Sequence, residues 1–401
     1  MVMWDIDQYV GDEDLNMLMK TSMHVKNVAA RILLLVVIFV NISIASPLPT
    51  IRQWKSGATT VTLGEDWTLR IRGNGAMEDY SHIIYPPWSN VRSEITGIVI
   101  EDGVTYIGSY VFSGSINLKS VTIPGSVKAI GTSAFRFCGD LTSVTLPNDL
   151  IMIADMAFWS TGLMSVTIPD KVMYIGSSAF GDCTDLISIN VVADNARYCS
   201  ENGVLFNKDK TALLFYPRGI QGAYTIPSNV ESIGILAFNS CFGLTSVTIP
   251  AKMKSIHELL FYGCTSLTSI MVTKDNAHYS SKDGVLFSKN GFSLIRYPPG
   301  KLGAYTIPNG VDNIEVRAFY DCAGLTSVTI PRSVTTIASA AFSSCTSLNT
   351  VINLNTTPPE AEFYVFADIP SDACLYVPAN SINAYRAAKE WKGFACMKAL
   401  D

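Results

Sequence analysis

The chain has 401 residues, 48% of them apolar and only 16% charged, so it carries ample material for a large core and lacks the low-hydrophobicity, high-charge composition of disorder. Its formal charge of −5, with no long basic run, gives no electrostatic reason to bind nucleic acid or an anionic membrane.

The first element is a targeting segment. Lys20, Lys26 and Arg31 precede an apolar run from Ile32 to Val40, and small residues follow up to Ala45. That order of basic, apolar and small residues marks residues 1–45 as a signal peptide cleaved after Ala45. The stretch Ile32–Ile44 is too short, and too interrupted by Asn41 and Ser43, for a bilayer span of about 20 apolar residues. An exported protein is expected, secreted or at the cell surface, with no membrane span in the mature form. Residues 1–18 are acidic and lack Lys and Arg, unlike an n-region, so translation is expected to begin at Met19 or Met23.

From about Leu118 the sequence repeats itself. Units begin at Leu118, Leu141, Leu163, Leu244 and Leu325 with Leu-x-Ser-Val-Thr-Ile/Leu-Pro, and neighbouring starts lie about 23 residues apart, a leucine-rich-repeat period. Within Ser-Val-Thr-Ile the side chains alternate, so Val247 and Ile249 face a core while Ser246 and Thr248 face water. Pro250 ends the strand because it has no N–H for the ladder. Ile256 and Phe261, like Ile130 with Phe135 or Ile175 with Phe180, bring a second apolar edge back, and only neighbouring coils can seal the core so formed.

A longer period is superimposed. Asp194-Asn-Ala-Arg-Tyr198 returns as Asp275-Asn-Ala-His-Tyr279, and Gly203-Val-Leu-Phe206 as Gly284-Val-Leu-Phe287, 81 residues later. In each copy an apolar stretch, a polar turn and a second apolar stretch, such as Val204–Phe206, Asn207–Lys210 and Leu213–Tyr216, predict an inserted β-hairpin. The insertions fall near residues 190–222 and 271–303.

The unit Leu-Thr-Ser-Val-Thr-Ile-Pro, followed by Val, Ile-Gly, Ala-Phe and Cys, closely resembles the BspA-like class of leucine-rich repeats, over roughly residues 95–355. The stretch Trp67–Met77, with Tyr85-Pro-Pro-Trp88, is similar to the N-terminal caps of that family; Thr357-Pro-Pro359, Leu375-Tyr-Val-Pro378, Tyr385 and Trp391 are similar to its C-terminal closing segment. The resemblance implies a mainly β leucine-rich-repeat solenoid with few or no helices. Its N-terminal cap covers residues 46–94, its repeats 95–355 and its C-terminal cap 356–401. It also implies adhesion, with host extracellular-matrix proteins among the candidate ligands.

Nine cysteines in an exported chain invite a disulfide reading. However, Cys138, Cys183, Cys241, Cys264, Cys322 and Cys345 all stand three residues before a repeat leucine, an equivalent inward position that predicts a ladder of buried thiols. Stacked coils would bring Cys241 to Cys264, and Cys322 to Cys345, within disulfide reach in principle. Cys374 and Cys396 are the first candidates for an actual bridge. The four histidines are scattered and no Cys-x-x-Cys occurs, so no metal, catalytic residue or cofactor is expected.

A non-enzymatic binding protein is therefore expected, recognising a protein or glycan through its repeat surface. The alternatives are a self-associating structural protein and, less favoured, a carbohydrate-active enzyme. Candidate ligand-binding residues are the outward pairs Ser120 and Thr122, Ser143 and Thr145, Ser165 and Thr167, Ser246 and Thr248, and Ser327 and Thr329. Small hydroxyls supply few energetic anchors. Lys208, Tyr216, Arg218, Arg296 and Tyr297 of the insertions are expected to provide them.

Overall fold

The computed structural model describes residues 52–400; the expected signal peptide lies outside the described residues. The chain is a mainly β solenoid of about 13 turns of roughly 23 residues, 4% helical.

Each coil has a long strand, a short strand and a turn between them. The long strands, among them Gly97–Ile100, Ser120–Thr122, Ser165–Ile168, Leu244–Ile249 and Leu325–Ile330, stack in parallel on one side. Alternation sets their burial: Val166 and Ile168 are buried while Ser165 and Thr167 are exposed. Short strands such as Ala129–Ile130, Met152–Ile153 and Tyr174–Ile175 stack on a second side. The unit Leu141–Pro147 occupies its place without forming a laddered strand, which divides the long-strand sheet there.

On the third side the repeat phenylalanines stack. Phe158 lies between Phe135 and Phe180, with ring centroids 5.3 and 5.6 Å away and planes within 6° and 5° of parallel. The backbone there also ladders: Phe135 N–H donates to the Ala157 carbonyl and Phe158 N–H to the Ala179 carbonyl, each at 2.8 Å. The turn takes left-handed residues that are not glycine, at Ser133 (φ 53°) and Phe137 (φ 61°) in one coil and at Ser344 (φ 60°) in a later one. None is β-branched, since a branched Cβ is the most strained in that region.

Strands Arg52–Ser56, Thr59–Leu63 and Thr68–Gly73 form an antiparallel meander whose last member pairs in parallel with Gly97–Ile100, so the first coil is joined by hydrogen bonds to the segment before it. Val61, Leu69 and Ile71 are fully buried beneath it. The indole N–H of buried Trp88 donates to the Val111 carbonyl at 3.1 Å. At the other end, Cys374–Pro378 and Cys396–Leu400 extend the parallel sheet, and a disulfide joins Cys374 to Cys396.

The duplicated segments are more elaborate than a hairpin. Tyr198–Glu201 pairs antiparallel with Val204–Asn207, which pairs antiparallel with Ala212–Phe215; the second copy repeats this at Tyr279–Lys282, Val285–Ser288 and Ser293–Arg296. The third strand then rejoins the short-strand sheet in parallel. Each insertion thus ends as an ordinary coil edge.

Candidate binding surface

Parallel, in-register pairing carries the outward residue of one long strand onto that of the next. Ser165 faces Ser188 and Thr167 faces Asn190; Ser246 lies between Ala223 and Ser269, and Thr248 between Thr225 and Met271; Ser327 lies between Ala304 and Thr350. Ser120, Thr122, Ser143, Thr145, Ser165 and Thr167 are exposed, whereas Ser246, Thr248, Ser327 and Thr329 are half-buried. None of these hydroxyls bonds to another protein group. Their donors and acceptors are left to water or to a ligand.

The strip is interrupted where the insertions enter. Ile189 N–H donates to the Gly203 carbonyl and Ile270 N–H to the Gly284 carbonyl, both at 2.8 Å, so the turns Asn202–Gly203 and Asp283–Gly284 lie beside the strand instead of another long strand.

Four of the five insertion residues expected at the surface, Tyr216, Arg218, Arg296 and Tyr297, are buried, which corrects the sequence reading for these four. Tyr216 and Tyr297 are 1% and 0% exposed. They stack on Phe238 and Phe319 with centroids 4.8 and 5.0 Å apart, in the phenylalanine place of their coils, and burial pushes both phenols above the usual tyrosine range. Arg218 and Arg296 are buried as well. Arg218 is held by the Asp182 carboxylate and, at 3.0 Å, by the Asn239 carbonyl; Arg296 donates to the Arg317 carbonyl at 2.5 Å. The reason is that the third inserted strand returns along the coil's own apolar edge, which turns its residues inward. Lys208 is exposed, but its ammonium donates to the carbonyls of Ala193 and Asn195 at 3.0 and 2.6 Å and so clamps the insertion.

Charged and aromatic residues that sequence reasoning did not single out stand at the two ends of the strip. Arg70 is in register with Val99, and Val99 with Thr122, so exposed Arg70 and its neighbour Arg72 continue the outward row. Their partners are exposed carboxylates, Asp66 at 3.7 Å from Arg70 and Glu101 at 2.6 Å from Arg72. At the far end Thr329 leads through Ile352 to Tyr376, whose ring lies 5.8 Å from the Lys398 ammonium. The alternation in Thr68-Leu-Arg-Ile-Arg-Gly73 was the available signal for the first pair.

A cleft of about 330 Å³ lined by Tyr364, Phe366, Ile369, Pro370, Glu390 and Phe394 opens at the end of the aromatic column, on residues other than those of the strip. Among the described residues no group of His, Cys, Asp and Glu is arranged to hold a metal ion, and no helix is long and apolar enough to cross a membrane.

Comparison with known proteins agrees with this architecture. The family model described as BspA type leucine rich repeat region matches in 6 copies, over residues 89–202, 214–291 and 297–384. The chain is similar to a leucine-rich repeat protein from Eubacterium ventriosum, at 25% identity and a TM-score of 0.57 over 78% of this chain and 93% of that one. It also shares its fold with the pneumococcal vaccine antigen PcpA, at 19% identity and a TM-score of 0.55 over 87% of this chain and 98% of that one. No curated protein matches the chain.

Proposed function

Because the chain belongs to the BspA-type leucine-rich-repeat family, we propose that it is an exported, non-enzymatic binding protein that grips an extended protein or glycan, host matrix proteins included, along its Ser/Thr strip. The observation that carries this reading is the in-register row of hydroxyls with no bond to another protein group. Each uninterrupted run of the row donates and accepts along a stretch of ligand, at low affinity per coil. Arg70 and Arg72 at one end and Tyr376 with Lys398 at the other supply the charged and aromatic contacts that the middle lacks. Firm attachment then depends on several coils, or several molecules, engaging together.

The test is an array of matrix proteins and glycans probed with the chain from Ser46 onward. The best ligand is then titrated against Ser143→Arg, Thr167→Arg and Ser246→Arg on the strip and Arg70→Ala with Arg72→Ala at its end. Affinity should fall in each folded variant; undiminished binding by all of them would place the site elsewhere.

A further inference from the structure

The column of stacked rings ends at a corner open to solvent. Phe342 is fully buried between Phe319 and Phe366, with centroids 4.6 and 5.5 Å away. Phe366 is only half-buried: Phe342 covers one face, and Phe394 meets it edge-on at 4.9 Å with the planes 70° apart. Both rings line the cleft of about 330 Å³.

Two walls make this cleft, residues 364–373 of the last turn and residues 390–395 of the closing segment. Ala373 and Ala395, the last lining residue of each wall, directly precede Cys374 and Cys396, so the disulfide staples the walls together where they meet the parallel sheet. The first wall is also tied to the coil before it, since the N–H groups of Phe342 and Ser344 donate to the carbonyls of Val365 and Ala367, each at 2.9 Å. The cleft is thus shaped before any ligand arrives.

We propose that this cleft takes a lysine side chain of a partner protein, with the ammonium paired to Glu390 and the methylene stem laid against Phe366, Phe394 and Tyr364. The site shares no residue with the Ser/Thr strip and stands whether or not the strip binds anything.

The chemistry of the lining selects the occupant. Glu390 is its one charged side chain, half-buried and without an ion-pair partner. An apolar ligand would strip water from that carboxylate and return nothing, and an anion would be repelled. Repulsion would come from the neighbourhood as well: from Ser333 to Tyr385 the sequence has no Lys or Arg, while Glu360, Glu362, Asp368 and Asp372 fall within it. Lys389 and Lys392 of the closing segment do not line the cleft. Instead the Lys389 ammonium lies 4.1 Å from the Phe363 ring centroid, so this end of the chain already holds one ammonium on an aromatic face. Tyr364 sits at φ 60°, a costly backbone for a bulky residue, and its ring is 73% exposed with no ring partner among the described residues. That ring is free to close over an aliphatic stem. The three donors of an ammonium can be met by Glu390 and water, whereas the five of a guanidinium spread over a wider plane among apolar walls.

The experiment measures saturation-transfer NMR from the folded full chain to Nα-acetyl-lysine amide, to its uncharged norleucine counterpart and to Nα-acetyl-arginine amide. The lysine derivative should bind about threefold or more tighter than either of the others, with transfer strongest to its side-chain methylenes. Glu390→Gln should remove that advantage over norleucine, and Tyr364→Ala should weaken lysine binding by about threefold. Neither side chain is hydrogen-bonded within the protein, and melting temperatures check that both variants fold. Equal affinity for lysine and norleucine, tighter binding of arginine, or lysine binding unchanged in Glu390→Gln would overturn the proposal; the first two are read on the wild-type chain alone.

Discussion

The side-chain amide of Asn195 donates to the carbonyl of Pro169, 26 residues earlier, at 2.7 Å. The same amide donates to the Val172 carbonyl at 3.0 Å, while its oxygen accepts from the N–H groups of Arg197 and Tyr198 at 2.8 Å. Fully buried Asn195 thus satisfies two carbonyls of one coil and two amides of the insertion that follows. Asn195→Ala should cost about 2–4 kcal/mol, because it orphans buried backbone groups as well as removing bonds. Asn276 makes the equivalent contacts to Pro250 and Met253, and Asn276→Ala should cost as much within about 1 kcal/mol. Denaturant unfolding measures both; a loss below about 0.5 kcal/mol would mean that water replaces the latch at no cost.

Phe158 has a stacked ring on either side. Phe158→Ala should cost about 3–5 kcal/mol, with the loss shared by the coils above and below, while Ser165→Ala should stay within about 0.5 kcal/mol. Thermal melting of the two variants separates inward from outward positions, and similar shifts would contradict that division.

Ser344 sits at φ 60° with its N–H bonded to the Ala367 carbonyl at 2.9 Å. Ser344→Gly should be stabilising by several tenths of a kcal/mol up to about 1 kcal/mol, since a left-handed L-residue costs about 1–2 kcal/mol. Ser344→Val should be destabilising by more than that, as branching at Cβ worsens the clash. The order Gly above Ser above Val in melting temperature is the expected result.

Asp149 lies between Lys128, at 2.9 Å, and Lys171. Hydrogen bonds and charge from Lys171 and Lys128 lower its pKa from the ordinary 3.8 to about 2. A folded-state pKa below the unfolded one means that the contribution to stability is present above the ordinary value and is lost as the pH falls through about 2. Titration of the carboxyl by NMR should show the depressed midpoint, and Asp149→Asn should flatten this part of the acid profile. Added salt should bring the midpoint back towards normal, because all three groups are exposed.

Cys138 is buried without a thiol on either neighbouring coil, and burial pushes its pKa far above the usual value. An alkylating reagent should therefore label it only after denaturation. Labelling of the folded chain would show that the interior opens at that coil.

Much of the fold was legible because a repeat states its rule many times. Val166, Ile168 and Phe180 could be placed inward from spacing alone, and the structure buries them. The insertions were legible only in part. Asn202-Gly203 and Asp283-Gly284, with φ of 51° and 80° and of 53° and 78°, are two-residue hairpin turns, and they mark the strands Tyr198–Glu201 and Tyr279–Lys282 that the sequence reading left out. Tyr216 and Arg218 were misplaced because aromatic and basic residues in an insertion look like surface anchors until the third strand is known to return to the core. Arg70 and Arg72 escaped notice because the alternation in Thr68–Gly73 turns them outward but does not show that their strand pairs with Gly97–Ile100 and so joins the row.

The third strand of the insertion in each 81-residue copy rejoins the short-strand sheet in the same parallel arrangement. Copying or deleting such a block adds or removes whole turns without rotating any face relative to another. Molecular length thereby becomes a quantity that recombination can change in discrete steps, with the spacing between distant contact points reset each time.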